Sequence, residues 1–312
     1  MTRAFRYPWA LGLAVLIVTL GSSAVAVGVV HHKKKVTTQA PPATGPSGAA
    51  SPSAPAPSSA APSPSPSAVV PNTVSATYTH LAAYLSSRGR HAAAGIVDLT
   101  TGARVLYNSG QQFETASIVK VDILSTLLWE LQNKNGRLTS QQRGLATAMI
   151  TQSDNSAASA LWSQIGGGKG LASANRAFGL AHTTPGSGGS WGLTRTTVAD
   201  QLRLLTVLST SGPLSASSRA YVLGLMNKVV GGQRWGVPHA ASDDANAVYV
   251  KNGWLARSTD GYKWIINTIG RIVVPGHNWI VVVLSNYNAT MSGGISLVQR
   301  SADLAVDGLG GD

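Results

Sequence analysis

Ten of the fifteen prolines stand between Pro41 and Pro71, inside a stretch from residue 36 to residue 72 built mostly of Pro, Ala, Ser, Thr and Gly. A segment of that composition has little apolar surface to bury and stays unpacked. Before it, Trp9 to Val30 carries no charge, and every Asp and Glu in the chain lies at or beyond Asp98. A hydrophobic core can therefore form only from about Val74 onward. That leaves roughly 240 residues, enough for one domain of two packed sub-parts and too few for two independent catalytic units.

The 22 residues from Trp9 to Val30 would span ~33 Å as a helix, sufficient for a ~30 Å hydrocarbon layer. The expected organisation is a short cytoplasmic tail and transmembrane anchor over residues 1–35, a Pro/Ala/Ser-rich disordered linker over 36–73, and a folded domain over 74–312. Ala24-Val25-Ala26 offers the alternative of a cleaved signal peptide. Arg3 and Arg6 on one flank are balanced by Lys33, Lys34 and Lys35 on the other, so charge does not choose the orientation. In a polyproline-like conformation the linker would reach up to ~115 Å.

The formal charge of +12 comes from 24 basic against 12 acidic residues, and +7 remains once the five basic residues flanking the apolar segment are set aside. No basic cluster interleaved with aromatics stands in the domain, so no nucleic-acid partner is expected. The absence of cysteine excludes disulfides, thiol nucleophiles and thiolate metal sites. None of the seven histidines belongs to an H-E-x-x-H or comparable cluster, so no metal and no cofactor are expected. A monomer is the expected state.

From Ser75 the apolar pattern is that of a folded protein with both helices and strands. An opening helix around Leu81 and Leu85 is followed by strands at Ala93–Leu99 and Val105–Tyr107. Helices are expected at 117–132, 140–151, 155–165, 197–208 and 217–229, the third closed by Gly166-Gly167-Gly168 as a helix terminator. Strands at 247–251, 263–269 and 279–284 and a helix at 296–306 complete the chain. Two strands, a helical insert, three strands and a final helix imply an α+β fold: an antiparallel sheet with terminal helices on it and an inserted helical sub-domain.

Three short motifs occur in order: Ser117-Ile118-Val119-Lys120, Ser153-Asp154-Asn155 and Lys251-Asn252-Gly253. Each alone is common, on a solvated helix, a helix cap or a turn. Their order, at a helix start, an inter-helix loop and a strand end, is specific. A serine hydroxyl needs a base, and Lys120 lies one helical turn after Ser117 on the same face. Burial and a second cation such as Lys251 would lower the lysine pKa toward what a base requires.

Together the motifs resemble those of the class A β-lactamases and low-mass penicillin-binding proteins, over most of residues 75–312. The resemblance implies a β-lactamase/transpeptidase-like fold and an extracytoplasmic serine hydrolase acting on β-lactams or peptidoglycan peptides; with the apolar segment Trp9–Val30 the expected location is the cell membrane by a single pass, or outside the cell if that segment is cleaved. It implies Ser117 as nucleophile and the Ser117 and Trp254 amides as oxyanion donors. Ser153 would pass a proton to the leaving nitrogen, Asn155 would bind the substrate's side-chain amide, and Lys251, Asn252 and Gly253 would flank its carboxylate.

Two departures stand out. Asn252 replaces the usual Thr or Ser, and no Asp or Glu lies between Asp154 and Asp200, where class A β-lactamases carry the glutamate that activates the deacylating water. Residues 181–193 are instead a Gly, Ser and Thr loop with His182, Pro185 and Trp191. A D-alanyl-D-alanine carboxypeptidase-type enzyme is therefore as compatible as a β-lactamase. The alternatives are a non-catalytic wall-binding scaffold, and an esterase using Ser190 of Gly188-Gly189-Ser190-Trp191-Gly192 with His277. The latter lacks the strand that a nucleophile elbow requires.

Overall fold

The computed structural model describes residues 71–310. The expected tail and membrane anchor, and the linker up to residue 70, lie outside them. Among the described residues no helix is long and apolar enough to cross a membrane.

Helix α1 (Pro71–Leu85) takes in the last three residues of the expected linker, its proline standing where a missing amide donor costs nothing. Strands β1 (Ala92–Asp98) and β2 (Arg104–Tyr107) form a hairpin. At its turn the Asp98 carboxylate accepts from the Thr100 amide and the Thr101 hydroxyl. The short β3 (Phe113–Glu114) leads through a 3-10 turn, Ala116–Ile118, into α2 (Val119–Asn133). Then follow α3 (Ser140–Thr151), α4 (Asn155–Gln164) and α5 (Gly167–Phe178). After β4 (Arg195–Thr196), paired with β3, come α6 (Val198–Ser209) and α7 (Ala216–Asn227). The chain closes with β5 (Ala247–Arg257), β6 (Lys263–Val274), β7 (His277–Asn288) and α8 (Met291–Gly310).

The main sheet is antiparallel in the order β2-β1-β7-β6-β5. Central β7 explains the two-layer packing. Its Ile280, Val282 and Leu284 join the core shared with α2 to α7, while Trp279, Val281 and Val283 join the core shared with α1 and α8. A strand buried on both faces reads as an unbroken apolar run, as here. Each such side chain contributes about 1.5–3 kcal/mol by leaving water.

Two parts of the fold differ from the sequence expectation. Strands β5 to β7 are each several residues longer, because polar residues that look like strand ends are buried and bonded within the sheet. Ser285, for example, just past the expected end of β7, is fully buried and donates its hydroxyl to the Ile266 carbonyl at 2.7 Å. The triple glycine also does more than terminate a helix. Gly166 takes the left-handed conformation after α4 (φ 72°), and the chain re-enters a helix at once as α5, which its three early glycines conceal from a propensity reading.

Candidate active site

The turn that presents Ser117 is held from three sides. Ala116 just before it has a left-handed φ of 46°, a costly conformation for a residue with a Cβ. Its upkeep comes from Asn267 on β6, whose amide donates to the Glu114 and Thr115 carbonyls at 2.8 and 3.1 Å. Arg257 at the end of β5 pairs with Glu114 at 2.9 Å. Gly253 supplies the third contact: a Cβ there would lie 2.7 Å from the Thr115 carbonyl oxygen and 2.8 Å from the Ser117 amide nitrogen. Only glycine lets the sheet edge run this close to the nucleophile turn. The same approach sets the Ser117 amide close to Gly253, the residue before Trp254; the Ser117 and Trp254 amides are the two donors that the resemblance implies for an oxyanion.

Lys120, one turn into the helix, is fully buried. Its Nζ donates to the Ser153 carbonyl (2.7 Å), the Ser153 hydroxyl (3.1 Å) and the Asn155 side-chain oxygen (2.8 Å). All three protons of an ammonium are thus engaged, and none of the partners is a carboxylate or Ser117. Lys251, also fully buried, reaches the Ser153 hydroxyl at 3.0 Å from β5. Ser153 itself sits at φ 58°, and Asp154 caps α4 by accepting from the Ala157 amide at 2.6 Å.

Burial pushes the Lys120 ammonium down to about 7, against an opposing pull from Asp154. Burial, with Lys120 as a second cation nearby, holds Lys251 well below the ordinary lysine range. At neutral pH a large share of Lys120 is therefore uncharged and able to take a proton.

Asn252 is not placed as a substrate ligand. Strand alternation puts Lys251 and Gly253 on the face toward the helices and Asn252 and Trp254 on the opposite face. The Asn252 amide donates to the Gln233 and Trp235 carbonyls, both at 2.8 Å, and the residue is 1% exposed. Its role is to hold the 233–235 segment against the edge strand. Asn155 likewise faces Lys120 in the resting site.

Trp191 has the site position that sequence reasoning missed. Its ring centroid lies 4.9 Å from the Lys120 Nζ, and its indole N–H donates to Ser159 on α4 at 3.1 Å. The acid-free loop thus lays an aromatic face where a water-activating carboxylate was absent from the sequence. Ser190, on the same loop, is exposed, and His277 pairs with Asp98 at 2.7 Å; the two do not form the rival dyad. Among the described residues no group of three or more His, Asp or Glu is arranged to hold a metal.

The sequence profile described as the Beta-lactamase enzyme family matches residues 131–309. That span contains Ser153, Asn155 and Lys251 and starts after Ser117 and Lys120. LppW of Mycobacterium tuberculosis, a lipoprotein by name, is 28% identical over 207 residues, covering 64% of this chain and 64% of that protein. The chain thus spans less than two thirds of this curated relative. Among solved structures, a variant of PBP-A in acyl-enzyme complex with penicillin G is similar with a TM-score of 0.65 and 19% identity, over 75% of this chain and 96% of that one. A class A β-lactamase from Mycobacterium abscessus gives 0.64 and 18%, over 75% and 99%. What these structures share with the chain is the α+β β-lactamase-like fold.

Proposed function

The chain belongs to the Beta-lactamase enzyme family, and from that premise we propose that it is an extracytoplasmic serine hydrolase, acylated at Ser117 by β-lactams or D-Ala-D-Ala-type peptides and slow to release the acyl group. The observation that carries this reading is the convergence of two buried, pKa-lowered lysines on the Ser153 hydroxyl, one turn from a serine held against the sheet edge.

In the proposed acylation, neutral Lys120 takes the Ser117 proton as Oγ attacks the carbonyl carbon. The developing oxyanion lies between the Ser117 and Trp254 amides, where fixed donors stabilise charge without reorganising. Ser153 gives its proton to the departing nitrogen and is recharged by one of the lysines that bond it. A substrate carboxylate near Lys251 would favour the charged form of that amine and be held by it. Slow release follows from the partners of Lys120, which include no carboxylate to activate water. The envelope location rests on the apolar segment Trp9–Val30 and on the similarity to a protein named a lipoprotein.

Intact-mass analysis after exposure to benzylpenicillin tests the reading. An adduct of penicillin mass that persists for minutes, is lost in Ser117→Ala and is retained in Ser190→Ala is the expected result. An adduct that depends on Ser190 would establish the rival esterase. No adduct with any acyl donor would leave the scaffold reading.

A further inference from the structure

Trp191 covers the Lys120 amine on top of its three hydrogen-bond acceptors. Three acceptors surround the Nζ on the α4 side, the indole covers it at 4.9 Å, and Lys120 is 0% exposed. The ring is fixed at its far edge by the bond to Ser159. Its loop is pinned at the base by paired backbone bonds between Thr184 and Arg195, both 2.8 Å. Between base and ring stand Gly188 and Gly189, both at positive φ and with nothing within 4 Å of where a Cβ would be. The loop is therefore anchored at both ends, and just before the tryptophan the two glycines sit in a turn closed only by its own backbone bonds, Ser190 N–H to Ser187 and Trp191 N–H to Gly189.

We infer that Trp191 is a positioning residue for Lys120 and the gate to water at that amine: tied down at Ser159, its indole keeps the lysine turned toward Ser153 and Asn155, and it has to swing out before water can be activated there. The inference deepens the proposed hydrolase reading and rests on it. In the step that the gate controls, neutral Lys120 takes a proton from water as the water oxygen attacks the acyl carbon of the Ser117 ester. The bond from that carbon to Oγ then breaks, Oγ takes the proton from Lys120, and the free acid leaves. Charge and protons balance within Lys120, water and Ser117. With the ring in place, the water has no room beside the Nζ, and acylation outruns release.

Two measurements on the full chain test this. In the first, lysine acetylation by acetic anhydride is followed by peptide mapping, with no substrate present. Lys120 is expected to be protected in the wild type, to react at least tenfold faster in Trp191→Ala, and to react at intermediate rates in Ser159→Ala and Trp191→Phe, which both lose the indole bond to Ser159. The second follows adduct mass after a benzylpenicillin pulse: release is expected to quicken about tenfold in Trp191→Ala and by a smaller factor in Trp191→Phe and Ser159→Ala. Unchanged Lys120 labelling in both Trp191→Ala and Ser159→Ala would overturn the inference, as would faster labelling with no change in release. Should the wild type form no adduct at all, the hydrolase reading fails, and the release step assigned to the gate fails with it; the labelling arm still decides whether Trp191 covers the amine.

Discussion

Helix α2 carries two buried ionisable groups two residues apart on opposite sides, and the two sides are built differently. Toward the sheet edge, Lys120 finds an acceptor for every proton. Toward α5 and α6, neither oxygen of Asp122 has a hydrogen-bond partner among the described residues, nor do the amide of Asn175 and the hydroxyl of Thr126. Burial drives both groups toward neutrality: Lys120 down to about 7 and Asp122 up to about 7, where the nearby Asn175 side chain, beyond full hydrogen-bonding geometry, opposes the rise and the Asp200 charge adds to it. A perturbed pKa thus does not by itself mark a reacting group. What distinguishes Lys120 is that it shares the Ser153 hydroxyl with Lys251 one turn from Ser117, the proposed nucleophile; Asp122 faces Asn175 and Asp200 on the neighbouring helices.

The strongest way to break the comparison is to remove each group. Lys120→Met is expected to slow acylation of Ser117 by about 10² to 10⁴-fold, the usual worth of general-base help, measured by stopped flow with a chromogenic β-lactam. Asp122→Asn is expected to leave the acylation rate within about twofold and to change stability instead. Because the folded pKa of Asp122 is raised, its neutral form stabilises the fold fully below the unfolded value near 4, and that contribution is lost as pH rises through about 7. The asparagine variant should match wild type near pH 4 and exceed it above pH 7, by up to about 4 kcal/mol. Urea denaturation from pH 4 to 8 reads the difference. Lys120→Met carries the opposite slope: a lysine with a lowered folded pKa weakens the fold most below about 7 and ceases to do so as pH approaches 10.5.

A smaller effect sharpens the contrast between the two faces of β5. Asn252→Ala leaves the Gln233 and Trp235 carbonyls without a donor and is expected to lower stability by about 1–3 kcal/mol. KM for a β-lactam should stay nearly unchanged, since the side chain does not face Lys251. A KM rise of tenfold at unaltered stability would return Asn252 to the substrate side.

The meeting of Lys120 and Lys251 on Ser153, one turn from Ser117, was legible because the relations are local: three residues along a helix, a helix cap, a strand end. The antiparallel sheet was legible from apolar runs such as Ile280 to Leu284. Hidden were relations that only tertiary packing creates. Nothing in a Gly- and Ser-rich loop says that Trp191 will lie on Lys120, and nothing in β6 marks Asn267 as the support of a turn some 150 residues earlier. The orientation of Asn252 depends on strand register, where a shift of one residue exchanges the faces. Helix α5 was obscured because glycines that weaken a helix in isolation are needed here for its close contact with α4.

The central claim is that Lys120, uncharged near neutral pH, activates Ser117. The acylation rate constant of the wild type with benzylpenicillin, measured from pH 5 to 9, tests it most directly. The account expects the rate to rise with an apparent midpoint of about 7 and the pH dependence to vanish with the activity in Lys120→Met. A rate independent of pH, or one that falls as pH rises through 7, would contradict it.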